Sequence, residues 1–253
     1  MTDKIQTRFK RVETKYIVRT DQYEALLEDL KVYLKEDDYP TSTISNIYFD
    51  TPDFDVIKDA LAKKNMREKI RMRSYFANPS EDCQAFLEVK QKDQKGVGHK
   101  VRLVSNPKSI NLLLCQGYSD ESISDPNLLT EIHALRDRYP GLAPRVYIYY
   151  DRYSLKQKKK IGDKVRVTFD KNLRYRDTDV SLSSGTDGKP LLEPNQMVME
   201  IKASADKPEW LKEILAKHGL RKMKFSKYSC AFHKSQGLDY QPRPRLKKES
   251  IGA

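Results

Sequence analysis

The stretch Arg67-Glu68-Lys69-Ile70-Arg71-Met72-Arg73 sets the fold, because its cationic residues recur at every second position. A strand sends alternate side chains to opposite faces, so Lys69, Arg71 and Arg73 share one face while Ile70 and Met72 share the other. Glu88-Val89-Lys90-Gln91-Lys92 and Lys100-Val101-Arg102 repeat the pattern, with Leu87, Val89, Val101 and Leu103 on the apolar phase. This is the signature of half-buried strands. Strands over 66–76, 84–92 and 97–104, joined by turns at Asn78-Pro79-Ser80 and at Gly96 or Gly98, predict an antiparallel meander with one basic face.

Working outward, residues 8–18 read as a first strand, with Arg11, Glu13 and Lys15 in one phase and Val12, Tyr16 and Val18 in the other. A helix follows, opened by Thr20 or Asp21 as cap, with Tyr23, Leu26, Leu27 and Leu30 at helical spacing. Ile44 to Asp50 is a strand ended by Thr51-Pro52, and 53–63 a short helix. Residues 108–115 and 126–138 are helical packing elements. Strands over 145–155 and 164–170 flank the basic turn Lys156-Gln157-Lys158-Lys159-Lys160-Ile161-Gly162; Lys164, Arg166, Thr168 and Asp170 share a face. Residues 176–190, rich in Ser, Asp and Gly, predict a mobile loop. Val198, Glu200 and Lys202 alternate with Met197, Met199 and Ile201 in an eighth strand. A helix over 208–218 and a last short helical segment close a single domain at residue 236; residues 237–253 read as a basic, disordered tail.

Composition narrows the partner. The 253 residues carry 48 Lys and Arg against 36 Asp and Glu, a formal net charge of +12, which favours a polyanion: nucleic acid, a phosphorylated metabolite or an anionic membrane surface. No apolar run approaches the roughly 20 residues of a membrane span, and the amino terminus lacks a secretory core. The expected location is the cytoplasm. Cys83, Cys115 and Cys230 are spaced for neither a disulfide framework nor a zinc site.

Two arrangements fit eight strands with one charged phase. In one, the charged face of an open sheet meets water. In the other, the sheet closes into a barrel with its charges inside. Like charges about 4 Å apart repel by about 4 kcal/mol at an effective dielectric of about 20, so Arg71, Arg73, Lys90, Arg102, Arg152 and Arg166 share an interior only around a dense anion. A chain of phosphates suits them, since a guanidinium grips phosphate oxygens bidentately.

The chain resembles the triphosphate tunnel metalloenzymes and, within them, the VTC domain, the polyphosphate polymerase domain of the vacuolar transporter chaperone complex and its bacterial relatives. The resemblance runs over residues 8–235. It rests on Arg11-Val12-Glu13-Thr14-Lys15-Tyr16, Ile47-Tyr48-Phe49-Asp50-Thr51, Lys69-Ile70-Arg71-Met72-Arg73, Glu88-Val89-Lys90, Lys100-Val101-Arg102, Asp151-Arg152, Val165-Arg166-Val167-Thr168, Met199-Glu200-Ile201-Lys202 and Lys224-Phe225-Ser226-Lys227. It implies an α+β fold, an eight-stranded antiparallel β-barrel with flanking helices. It also implies a nucleoside triphosphate held through its phosphates together with Mn2+ or Mg2+. By position, Arg71, Arg73, Lys90, Arg152, Arg166 and Glu200 would be catalytic. Lys15, Lys69, Lys100, Arg102, Lys202, Lys224, Ser226 and Lys227 would bind phosphate, and Glu200 with Glu13 would hold the metal.

The implied reaction is transfer of the γ-phosphate of ATP to a growing polyphosphate chain. Tunnel hydrolases commonly resemble Glu-x-Glu-x-Lys on the first strand, whereas Arg11 stands at the first position here. Hydrolysis needs an activated water, while a terminal phosphate is already anionic, so the loss of one carboxylate favours polymerase. The alternatives are a tripolyphosphatase or nucleoside triphosphatase, and a non-catalytic polyphosphate or nucleotide sensor. A nucleic-acid binder ranks last, because neither a recognition helix nor a stacking platform is evident. The expected partners are ATP and inorganic polyphosphate or pyrophosphate, with any membrane coupling through a partner protein.

Overall fold

The structure is a computed structural model that describes residues 12–64, 67–76, 78–93, 98–158 and 165–245. Arg11, Lys164, the turn residues 159–162, Gly96 and residues 246–253 of the tail lie outside the described residues.

The chain runs β1 (Val12–Arg19), α1 (Thr20–Tyr33), β2 (Leu34–Asp50), α2 (Asp55–Leu61), β3 (Arg67–Ser74), β4 (Ala85–Lys92) and β5 (Gly98–Ser105). It continues through α3 (Pro107–Asn111), a π-helical turn (Leu112–Gln116), α4 (Pro126–Arg138), β6 (Ala143–Gln157), β7 (Arg166–Arg176) and β8 (Lys189–Pro190). It ends with β9 (Gln196–Ala203), α5 (Glu209–Lys217), β10 (Met223–Lys224), α6 (Lys227–Ser235) and β11 (Arg243–Pro244). One antiparallel sheet of 11 strands has the order β11-β10-β1-β9-β7-β6-β2-β3-β4-β5, with β8 on β7.

The sheet is not a closed eight-stranded barrel. Among the described residues no ladder joins β5 or β4 to β1, so the sheet is an open surface with β5 and β11 at its ends. Cations occur on both of the walls that would have to meet, and their mutual repulsion opposes closure. The helices do not all flank the sheet either. Tyr228, Ala231 and Phe232 of α6 pack with Ile44, Tyr48, Val146, Ile148 and Val198, which share a strand phase with the charged residues. Thus α6 fills part of the face that carries the site. The opposite face packs on α3, α4 and the π turn around Ile70, Met72, Leu87 and Val89, and on α1 and α5 around Tyr16, Phe169, Met199 and Ile201.

Several local departures have clear causes. β2 begins ten residues before Ile44, because it follows the long β6 through an irregularity between Glu36 and Thr41 that accommodates Pro40. α1 takes Arg19 as its cap: the Gln22 side chain accepts from the Arg19 N–H at 3.2 Å, and Asp21 pairs with the Arg19 guanidinium rather than capping. Asp50 accepts the amides of Val56 and Ile57 at 2.9 and 3.0 Å, so the end of β2 caps α2. The expected mobile loop is organised by Arg176, which donates to the carbonyls of Asp179, Ser181, Gly185 and Asp187 and stacks on Tyr147. Within the expected tail, Arg243 and Pro244 pair with β10, and the Arg245 N–H donates to the Lys222 carbonyl at 2.8 Å.

Candidate functional site

Register across the sheet assembles the site in rows. Arg71 stands between Tyr48 and Glu88, and Glu88 stands beside Arg102; one row further on, Lys69, Lys90 and Lys100 lie side by side. On the other half, Lys15 faces Glu200, and Glu13 faces Lys202. Curvature brings the halves together around a cleft of about 680 Å³, open mouth included. Its lining is Glu13, Lys15, Tyr48, Lys69, Arg71, Arg73, Lys90, Tyr150, Arg152, Glu200, Lys202, Ser226 and Lys227. Eight cations therefore face two carboxylates.

One wall comes from β3 and β4. Arg71 pairs with the buried Glu88 through Nη2 at 2.5 Å and Nε at 2.7 Å, and Lys100 holds the other carboxylate oxygen. Burial alone would raise the Glu88 pKa, but Arg71 and Lys100 bring it down to about 2. Arg73 is buried and, among the described residues, donates to neutral oxygens: Asn46 Oδ1 at 2.9 Å, Tyr150 OH at 3.2 Å and Tyr75 OH at 3.3 Å. Lys69 donates to Ser226 Oγ at 2.9 Å, and burial among Lys15, Lys90 and Arg71 lowers its pKa to about 8. Burial pushes Tyr48 upward, yet Arg71 and Lys69 outweigh it and bring the phenol to about 8. This wall carries uncompensated positive charge.

The opposite wall is a network of paired charges. Asp170, fully buried, receives Arg152 Nε at 2.6 Å, Arg152 Nη2 at 2.8 Å and Lys227 Nζ at 2.5 Å. Glu200 receives Lys227 at 2.9 Å, Arg152 at 3.4 Å and Lys15 at 3.5 Å. Desolvation works against ionised Glu200, but Lys227, Lys15 and Arg152 hold its pKa well below the ordinary carboxylate range. α6 supplies Lys227 and its cap Ser226, whose Oγ accepts the Ser229 amide at 3.3 Å; Tyr228 anchors the helix, stacking on Tyr48 and donating to Asp50 at 2.5 Å. The first turn of α6 thus lines the cleft, and a helix amino terminus favours anions.

The fold gathers Lys15, Lys69, Arg71, Arg73, Lys90, Arg152, Glu13, Glu200, Lys202, Ser226 and Lys227 in the lining. Four of the sequence-derived residues lie elsewhere. Arg166 is at the rim beside Lys202 and pairs with Asp37 at 2.8 Å. Lys100 sits behind Glu88, Arg102 lies over the Phe86 ring at 4.0 Å, and Lys224 pairs in β10 with Arg243. Tyr48 and Tyr150 were not among the expected site residues, because alternation alone does not separate a site tyrosine from a core one; Asp170, in phase with Arg166, pairs with Arg152 and Lys227.

Metalloenzyme resemblance poses a test for these side chains. Among the described residues, no group of three or more His, Cys, Asp and Glu could hold an ion alone. Glu13 and Glu200 do fit the smaller demand of Mg2+ or Mn2+, which binds through one or two carboxylates with phosphate oxygens and water completing the shell. The Lys15 ammonium lies 3.5 Å from an oxygen of each, marking the point between them as one that attracts a cation.

Solved structures with similar folds include candidate adenylate cyclases from Bacillus halodurans (16% identity, TM-score 0.49, covering 85% of this chain and 93% of that one) and Vibrio parahaemolyticus (13%, 0.45, 89% and 98%). Another is a Hippeastrum adenylyl cyclase candidate with dominant triphosphatase activity (16%, 0.46, 91% and 98%). No curated protein matches the chain. The VTC domain family matches residues 10–235, nearly the whole length, and the paired rows of Arg71, Arg73, Lys90 and Glu200 lie inside that match. The chain belongs to the VTC domain family.

Proposed function

We propose that the protein is a polyphosphate polymerase that transfers the γ-phosphate of ATP to the end of a polyphosphate chain. The observation that carries this reading is the surplus of cations in the cleft, above all Arg73 and Lys69, which donate to the neutral oxygens of Asn46, Tyr150 and Ser226. Such groups repel one another until a polyanion fills the space, and phosphate has the required charge density.

In the proposed reaction, a terminal oxygen of the acceptor forms a bond to the γ-phosphorus as the bond to the β-bridging oxygen breaks. The electron pair leaves with ADP. Arg71, Arg73 and Lys90 hold the phosphates in line, and Lys69 and Lys227 stabilise charge near the amino terminus of α6. Glu13 and Glu200 would hold a divalent cation, which supplies charge neutralisation across phosphate oxygens when bound. The state of the carboxylates supports transfer over hydrolysis. Glu200 faces Lys227, Lys15 and Arg152, which hold its pKa well below the ordinary carboxylate range, so it is not poised to take a proton from water. An anionic phosphate acceptor needs no such base.

Incubation with ATP and Mn2+, with and without a short polyphosphate primer, tests the reading when phosphorus NMR resolves the products. A polymer ladder with stoichiometric ADP is expected. Orthophosphate alone would make the protein a hydrolase, and tight binding without turnover would make it a sensor.

A further inference from the structure

The charged phase ends in an apolar ledge that phosphate chemistry does not use. Register places Arg73 beside Phe86 and Phe86 beside Val104, one row beyond Arg71, Glu88 and Arg102. Tyr75 follows β3 directly and meets Phe86 edge to face, with ring centroids 5.6 Å apart; Arg102 covers Phe86, its Cζ 4.0 Å from the centroid. The ledge is accessible: Tyr75 is 41% exposed and Val104 49%. It is also joined to the cleft. Arg73, a cleft residue, donates to Tyr75 OH at 3.3 Å, and Tyr75 borders a second hollow that shares Arg152 with the cleft.

An aromatic surface capped by a guanidinium and adjoining a phosphate site matches a ligand with a flat ring at one end and phosphates at the other. Bases stack on aromatic rings and on guanidinium planes with little dependence on sequence. An unsubstituted polyphosphate would leave the ledge bare. We propose that the ledge is the nucleoside subsite, where the base of a nucleoside triphosphate stacks on Phe86, Arg102 and Tyr75 while its phosphates enter the cleft past Arg73. This rests on the phosphate reading of the cleft. It reassigns Arg102 from phosphate binding to base stacking, in keeping with its position outside the lining.

Calorimetric titration of ATP and of inorganic tripolyphosphate into the whole protein separates the two ideas. Phe86→Leu keeps apolar bulk but removes the ring, and is expected to weaken ATP roughly tenfold while moving tripolyphosphate less than about twofold. Phe86→Trp enlarges the ring and should hold or tighten ATP, which guards against a variant that merely misfolds. Unchanged ATP affinity in Phe86→Leu, or equal losses for both ligands, would overturn the ledge and leave the cleft reading intact. A wild-type protein that binds neither ligand would overturn both.

Discussion

The two walls of the cleft contain the same kinds of side chain and treat them oppositely. On the wall from β1, β6, β7, β9 and α6, the cations Lys15, Arg152, Lys202 and Lys227 meet three carboxylates, Glu13, Asp170 and Glu200. On the β3–β4 wall, Lys69, Arg71, Arg73 and Lys90 share a single carboxylate, Glu88, which Lys100 also claims. Buried charge that has a partner is scaffold, whereas buried charge without one is a site waiting for a counterion. The paired wall thus fixes geometry, and on the proposed function the unpaired wall makes the main contact with phosphate. The same difference explains why α6 is tied down by Asp170 and Glu200 while Lys69 only reaches across to its cap.

Breaking the paired wall should have the largest effect on stability. Asp170→Asn leaves Arg152 and Lys227 buried beside an amide, and urea unfolding should show a loss of about 3–5 kcal/mol. On the unpaired wall the effect moves to function. Arg73→Ala should cut polymer formation by about 100- to 1000-fold, as expected for a donor aimed at transition-state charge, while circular dichroism still reports a folded protein. Wild-type turnover in that variant would remove Arg73 from the mechanism.

Titration sharpens the contrast more gently. Lys69 and Tyr48 titrate near pH 8 in the fold, against 10.5 and 10.0 as ordinary values. Between pH 8 and 10 the unfolded chain holds more protons at both groups, so their contribution to stability rises with pH. Phosphate affinity runs the other way, because the cleft loses an ammonium and gains a phenolate. Opposite slopes of melting temperature and tripolyphosphate affinity over that window are the expected pattern. At the acid end Glu88 has the same sign in a lower window: its stabilisation is complete above its ordinary 4.5 and is lost as pH falls toward about 2.

Much of this was legible in the sequence, and the misses share a cause. Period-two alternation put Lys69, Arg71, Arg73, Lys90 and Glu200 on one face, and the structure agrees. Alternation gives the face of a strand but not the neighbour a side chain meets there. Arg166 has the right phase and shares the row of Lys202 and Glu13, yet it stands outside the cleft lining and its side chain pairs with Asp37 instead. Tyr48 and Tyr150 were hidden for a related reason, since an aromatic in a strand looks the same whether it packs on a helix or on a guanidinium. Pairing over distance was invisible: the early part of β2 is a strand because β6 is long enough to pair with it, not because Asp37, Asp38 and Pro40 favour one. The placement of α6 on the charged face depended on partners from four strands and on Tyr228 reaching Asp50.

On the proposed reading, phosphate binds the wall whose cations outnumber their carboxylates. Titrating inorganic tripolyphosphate into Lys69→Gln and Lys202→Gln compares one lining lysine from each wall, since Lys202 has Glu13 at 3.8 Å whereas Lys69, among the described residues, donates to neutral Ser226. Lys69→Gln is expected to lose affinity roughly tenfold or more, as for a charge-assisted hydrogen bond, while Lys202→Gln loses about threefold or less. Equal losses, or a larger loss at Lys202, would contradict it.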